Sequence, residues 1–292
     1  MQKTEMTLGG IYIPPSVREK EEKLAKTKTE LYPSESRRRR GRQLKLWDDI
    51  NCITELLCRN LQLLQFNAHE IYETIRRGHK FSGARSHHVA VGVYPTGALF
   101  NHECHPAVAR YFCGKKIVLR AIRPLVPGEA VAENYGPHFL MKGRQERQRA
   151  LACRYWFSCR CIACTEDWPN LKHMKAEKIF YIRCPNEACV YKFKGNVKNY
   201  PKICPGCSCS IRKEEMMSRS EQVEQCVQKY ELGAKFMEEG KQFEAITCIC
   251  NGVDNFSKCG ALPHCKTHIA QEALRSCFAA SGNVHLAPIA DK

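Results

Sequence analysis

The chain has 292 residues, 43% of them hydrophobic and 26% charged, which is the balance of a globular protein with one large or two medium cores rather than of a fibrous or disordered chain. No run approaches the roughly 18 apolar residues of a membrane helix, and no apolar leader opens the sequence, so a membrane partner is not expected. The net charge of +16 and the 19 cysteines point to anionic partners and to a reducing compartment, cytoplasmic and/or nuclear, in which thiols bind metal before they form disulfides.

Much of the charge is local. The first 45 residues hold 12 Lys and Arg against 6 Asp and Glu, and residues 1–43 read as a basic, disordered lead-in broken by Pro14-Pro15 and by the Arg37 to Arg40 run. Such a tail argues less for nucleic acid than a basic stripe on a folded face would.

From residue 44 the pattern becomes ordered. Leu46, Ile50, Ile53, Leu57, Leu61 and Leu64 recur in steps of three and four, the apolar stripe of an amphipathic helix expected to pack against the domain that follows. Asn67 comes next, then a second helical segment from His69 to Arg77, and a polar loop from Lys80 to Ser86; residues 44–86 form one helical unit.

Alternation from His87 to Val93 predicts a strand, with His87-His88 on its surface. Val108 to Phe112 and Ile117 to Ala121 predict a hairpin closed by Cys113-Gly114-Lys115-Lys116. Ala130 to Asn134 is a further short strand, and Arg144 to Arg154 a basic helix. These elements make residues 87–169 a core of short strands. Within it stand three dense motifs: N-H-E-C-H-P from Asn101, G-E-A-V-A-E-N-Y-G-P from Gly128, and R-Y-W-F-S-C-R-C-I-A-C from Arg154. Cys104, Cys159, Cys161 and Cys164 can share one metal ion only if the chain folds back by some fifty residues.

Residues 170–217 are a different, cysteine-rich unit. C-P-N-E-A-C (Cys184 to Cys189) and C-P-G-C (Cys204 to Cys207) flank the basic, β-prone stretch Val190 to Ile203, the ribbon pattern of a tetrahedral zinc–sulfur site, with Pro and Gly suited to knuckle turns. Cys209 is a possible substitute for Cys207. Residues 218–292 are helical: Val223, Val227, Tyr230, Ala234 and Met237 form a stripe, Gly240 breaks it, and Phe243-Glu244-Ala245-Ile246 restarts a helix in the manner of a tetratricopeptide hairpin. Ile269 to Phe278 adds another helix.

The central stretch resembles the SET- and MYND-domain lysine methyltransferases, above all the branch numbered four. The resemblance is carried by Asn101-His102-x-Cys104-x-Pro106, by Gly128-Glu129 leading to Asn134-Tyr135-Gly136-Pro137-His138, by Glu146-Arg147-Gln148, and by Tyr155-x-Phe157-x-Cys159-x-Cys161-x2-Cys164. It implies an α+β fold: the C-terminal half of a SET-type β core with a helical insert, a post-SET zinc site at Cys104, Cys159, Cys161 and Cys164, and a tetratricopeptide-like helical C-terminal region. It implies S-adenosylmethionine as cofactor, met by Asn67, Asn101, His102 and Tyr135 with Phe157 near the adenine. Tyr135 and Tyr155 would line the lysine channel, and the partner would be a lysine-containing protein. In-line methyl transfer to a neutral amine needs positioning by aromatic walls and tyrosine oxygens more than it needs a strong base, and no base with an obvious spacing stands here.

The chain departs from the family pattern in two places. Ala107 stands where the first motif ends in Asn, and Glu103 where Ser is common, which weakens the expected grip on the cofactor. The Gly-x-Gly turn of the N-terminal SET strands and the MYND cysteine set are both missing from residues 1–43, so low activity is expected of this chain by itself. A zinc-stabilised scaffold that binds protein partners through its helical region is the alternative to the enzyme, and a zinc-ribbon nucleic-acid binder is a third reading.

Overall fold

The computed structural model describes residues 46–76, 84–177 and 179–284; the basic lead-in at 1–43 lies outside them. The chain divides into two compact units, Met1–Cys58 and Arg59–Lys292. Helix α1 (Leu46–Asn67) supplies the described part of the first unit and opens the second. Its stripe is not covered as expected. Leu61 and Leu64 are 66% and 48% exposed, and the second unit is engaged instead by the last turn, where Gln65 Nε2 donates to the Arg154 carbonyl at 3.2 Å and Phe66 meets Trp156 edge-on at 4.9 Å.

The segment expected to be a second helix is a strand. β1 (Ala68–Arg76) pairs antiparallel with β2 (Ala84–Val93), from Ala68 opposite Val93 to Arg76 opposite Ala84, with an irregularity between Ile71 and Tyr72. Ile71, Tyr72, Thr74 and Ile75 are β-branched or aromatic, and the valine-rich partner strand decides between two periodicities that a short run leaves open. The ladder also claims Ala84 to Ser86, which read as loop. Asn283 then borders β1 like a short extra strand, accepting from the Thr74 N–H at 3.0 Å and donating to its carbonyl at 2.8 Å.

β3 (Asn101–His102) runs parallel to β6 (Ala132–Glu133), a shorter strand than the sequence predicts. β4 (Val108–Cys113) and β5 (Lys116–Ala121) form the expected hairpin, in which Gly114 supplies the φ of +56° that its two-residue turn requires. Helix α2 (Arg144–Tyr155) ends at Trp156 in a left-handed conformation. The short helices α3 (Ile162–Thr165) and α4 (Leu171–Glu177) follow. A small sheet of β7 (Tyr181–Arg183), β8 (Lys192–Lys194) and β9 (Gly260–Ala261) has β7 at its centre. The remaining helices are α5 (Lys213–Glu238), α6 (Gln242–Cys259) and α7 (Cys265–Ser281).

Two apolar clusters hold this mixed fold. The larger joins α5, α6 and α7 to β4 and β7 through Val223, Ile249, Phe256, Leu274 and Phe278. The helices of its hairpin approach closely because a side chain is missing at the crossing: a Cβ on Gly233 would stand 2.4 Å from Ile249 Cγ1. The smaller cluster packs Phe139, Leu140, Leu151 and Trp168 around Cys104, Cys159 and Cys164. That second cluster positions the site.

Candidate active site and metal centres

The sulfurs of Cys104, Cys159, Cys161 and Cys164 all lie within 4.8 Å of one another. Cys104 comes from the loop after β3, Cys159 and Cys161 from the turn that follows α2, and Cys164 from α3, so the fold-back demanded by their spacing is present. Cys104 Sγ is 3.5 Å from Cys164 Sγ and 4.0 Å from Cys159 Sγ. Four soft sulfur donors, three of them buried, suit a tetrahedral zinc ion. Hydrogen bonds from the Cys104 and Cys159 thiols hold the Cys161 thiol far below its usual range.

Two neighbouring residues of α2 support this cluster. Gln148 grips the Cys159 backbone twice, donating to its carbonyl at 2.7 Å and accepting from its N–H at 2.9 Å. Arg147 is fully buried; it donates to the Lys142 and Ala163 carbonyls at 2.8 and 3.0 Å and lies 3.5 Å from Cys164 Sγ. A guanidinium buried beside this sulfur cluster would offset the charge of thiolates that bind a metal, and hydrogen bonds of this kind around a metal orient its ligands. The sequence displays Glu146-Arg147-Gln148 openly but gives these residues no task. A basic residue one helical turn from Leu151, on the buried side of α2, is the signal for it.

Beside the cluster opens a cavity of 560 Å³, lined among others by Phe66, Asn67, Asn101, His102, Tyr135, Tyr155 and Phe157. All the residues assigned to cofactor and catalysis from the sequence therefore meet at one place. The aromatic rings form a continuous wall, with Tyr135 5.0 Å from Tyr155 and 6.4 Å from Phe157 between centroids. Tyr135 Oη donates to the Phe100 carbonyl at 2.5 Å, and Tyr155 Oη to the Tyr135 carbonyl at 3.2 Å. Burial, then the charges of Glu133 and Tyr155, push the Tyr135 phenol up to about 12, and burial raises that of Tyr155. Both stay protonated at neutral pH with their donors used on backbone, so each oxygen has only its acceptor capacity left.

The His102 ring is tied to its neighbours on both sides. Its Nδ1 accepts from the Tyr135 N–H at 3.0 Å, and its Nε2 lies 3.4 Å from Cys104 Sγ. Burial lowers this imidazole to about 4, so the ring is a neutral tie between the tyrosine turn and the sulfur cluster. Its backbone stays at the cavity rim. Asn134 completes the tie, donating to the Glu103 and Pro137 carbonyls at 2.9 and 3.1 Å and accepting from the Gly136 N–H at 2.9 Å. Asn101 is exposed, and Asn67 donates to Leu63 within its own helix at 2.9 Å. Ala107 is fully buried, and its carbonyl accepts from Ile122 at 2.9 Å.

Behind Tyr135 the buried Glu133 carboxylate is flanked by Arg110 Nη1 at 3.0 Å and His69 Nε2 at 3.3 Å. This knot links β1, β4 and β6.

Sequence comparison finds similar proteins. Protein-lysine N-methyltransferase SMYD4 of Mus musculus is 29% identical over 195 residues, which are 65% of this chain and 23% of that protein. Histone-lysine N-methyltransferase SMYD3 of Mus musculus is 36% identical over 85 residues, 29% of this chain and 19% of its own length. A SET and MYND domain-containing protein of Dictyostelium discoideum is 30% identical over 78 residues, 27% and 6% of the two chains. No family model matches. The chain is homologous to the SET- and MYND-domain protein-lysine methyltransferases. It spans about a quarter, or less, of the length of these relatives.

The second cysteine group holds five thiols. Cys184, Cys204, Cys207 and Cys209 have sulfurs mutually within 4.8 Å, with Cys184 3.7 Å from Cys207 and 3.6 Å from Cys209. Cys189 stands at the margin, 3.8 Å from Cys204. Cys209 thus joins Cys207 in the compact set rather than replacing it. The Cys209 backbone N–H draws the Cys207 thiol down to about 6, whereas burial pushes Cys184 up to about 12. Here too the donors suit zinc.

Proposed function

We propose that the chain performs protein-lysine N-methylation with S-adenosylmethionine, the 560 Å³ cavity holding the cofactor and the target lysine. The observation that carries this reading is the meeting of Tyr135, Tyr155, Phe157, Asn67, Asn101 and His102 around that single cavity. Its volume is that of a small-molecule site, and aromatic faces favour a bound cation.

The bound cofactor supplies an electrophilic methyl group on a sulfonium. The half-buried aromatic walls exclude water, so the lysine enters as the neutral amine. The Tyr135 and Tyr155 oxygens, their protons committed to carbonyls, accept the two amine N–H bonds and leave the nitrogen lone pair free along the transfer axis. Bound there, the cofactor would give its methyl group to that lone pair, the C–S bonding pair staying on sulfur and a proton leaving nitrogen for solvent. The cysteine clamp holds Tyr155 and Phe157 against Tyr135 through His102 and Gln148. The partner is a lysine-containing protein, and the two thiol clusters fit the reducing cytoplasm or nucleus. No helix among the described residues is long and apolar enough to cross a membrane.

Tyr155→Phe tests the assignment. Transfer of labelled methyl into lysine-containing peptides should fall by about tenfold or more while cofactor binding changes little, because the lost oxygen orients the amine and not the donor. Unchanged transfer removes Tyr155 from the mechanism.

A further inference from the structure

Two charged side chains of the cavity lining, Glu103 and Arg160, are used by none of the contacts described so far. Glu103 is half-buried, between His102 and Cys104. Its backbone is fixed on both sides: the N–H donates to the Glu133 carbonyl at 2.8 Å, and the carbonyl accepts from Asn134 at 2.9 Å. Its carboxylate makes no hydrogen bond and no ion pair among the described residues. Arg123, whose charge also acts on Glu103, is committed to Glu129. Cys161, which shares the cavity lining, belongs to the first sulfur cluster. A half-buried carboxylate without a hydrogen-bonding partner costs free energy until a cation faces it.

We propose that Glu103 selects ligand by charge, so that the cavity prefers the sulfonium donor S-adenosylmethionine to the neutral thioether S-adenosylhomocysteine. The inference rests on the reading given under Proposed function. The two molecules share adenosine, ammonium and carboxylate, so what Asn67, Asn101, Phe157 and the unpaired Arg160 of the same lining contribute largely cancels in the ratio of their affinities. They differ in one methyl group and in the formal charge on sulfur. A carboxylate without a protein partner attracts the donor and loses that hold once the methyl has gone to the amine and the sulfur is neutral. The same side chain thereby favours loading before transfer and release after it.

The test is calorimetric titration of the zinc-replete full chain with each ligand at neutral pH, for the native protein, Glu103→Gln and Glu103→Asp. Native protein should favour S-adenosylmethionine. Glu103→Gln should shrink that preference by a factor on the order of ten, mainly through weaker donor binding, and Glu103→Asp should restore most of it. An unchanged ratio in Glu103→Gln, or an equal weakening of both ligands, assigns the residue a merely structural role and overturns the proposal. If the native protein binds neither ligand, the methyltransferase reading itself fails and the proposal falls with it.

Discussion

In the first cysteine cluster Cys104 meets partners 55 and 60 residues away, whereas the second closes entirely within residues 184–209. The first is backed by a buried arginine and a glutamine and forms part of a cavity wall; the second has a spare thiol. The donor chemistry is shared, but the mechanical tasks differ. A metal at the first cluster ties off a long loop and fixes the relative position of three aromatic rings, while at the second it folds a local knuckle.

The largest expected contrast is between Cys104→Ser and Cys204→Ser. The first should abolish cofactor binding and loosen residues 155–164 in hydrogen exchange. The second should lose one zinc per chain and expose residues 184–211 while leaving the cofactor affinity within about threefold. Equal damage to cofactor binding by both would erase the distinction.

Arg147→Met should come next. It strands the Lys142 and Ala163 carbonyls, a loss of about 3 kcal/mol in unfolding free energy, and should weaken zinc at the first cluster by roughly 10- to 100-fold in chelator competition. The second cluster's zinc should be untouched, which reports that the rest of the chain is folded.

The spare thiol sharpens the contrast further. Cys209→Ser should release zinc from the second cluster more readily than Cys189→Ser, because Cys209 belongs to the compact set and Cys189 does not. In the first cluster, with four thiols, no single replacement should be tolerated. Equal metal retention in the Cys189 and Cys209 variants would make the two interchangeable.

The smallest effect is a pH slope in the helical region, away from both metals. His264 Nδ1 accepts from the Thr267 N–H at 3.3 Å and lies 2.7 Å from Thr267 Oγ1, capping α7. Burial lowers this imidazole to about 4 from an ordinary value of 6.5. The neutral ring is favoured in the folded state, so its stabilisation is complete above about pH 6.5 and is lost progressively as the pH falls toward 4. His264→Asn keeps a capping acceptor that does not titrate. The difference in melting temperature between native and variant protein should shift in the variant's favour on acidification through that window, and a constant difference would contradict this.

The elements that could be read from sequence were those with a strong local signature: the 3.6-residue stripe of α1, the Gly114 hairpin, the Gly240 break between α5 and α6, and the cysteine spacings. The strand β1 was misread because Ile71, Tyr72 and Ile75 also fit a helical spacing, and only pairing with β2 settles the matter. Exposure of Leu61 and Leu64 was equally hidden, since an apolar stripe does not say what covers it. The cavity residues were legible by resemblance. The roles of Arg147, Gln148, Asn134 and the His102 ring were not, because each depends on a backbone group or sulfur brought close only by the fold-back of Cys159 to Cys164 onto Cys104.

The account's central claim is that the first cluster, once it holds zinc, builds the wall of a cofactor site. Calorimetric titration of S-adenosylmethionine into the chain before and after zinc is stripped and restored tests it most directly. The prediction is one binding event per chain in the zinc-replete protein, its loss on stripping, and its return with zinc. Binding that is indifferent to zinc would contradict the claim, and so would its absence from the zinc-replete protein.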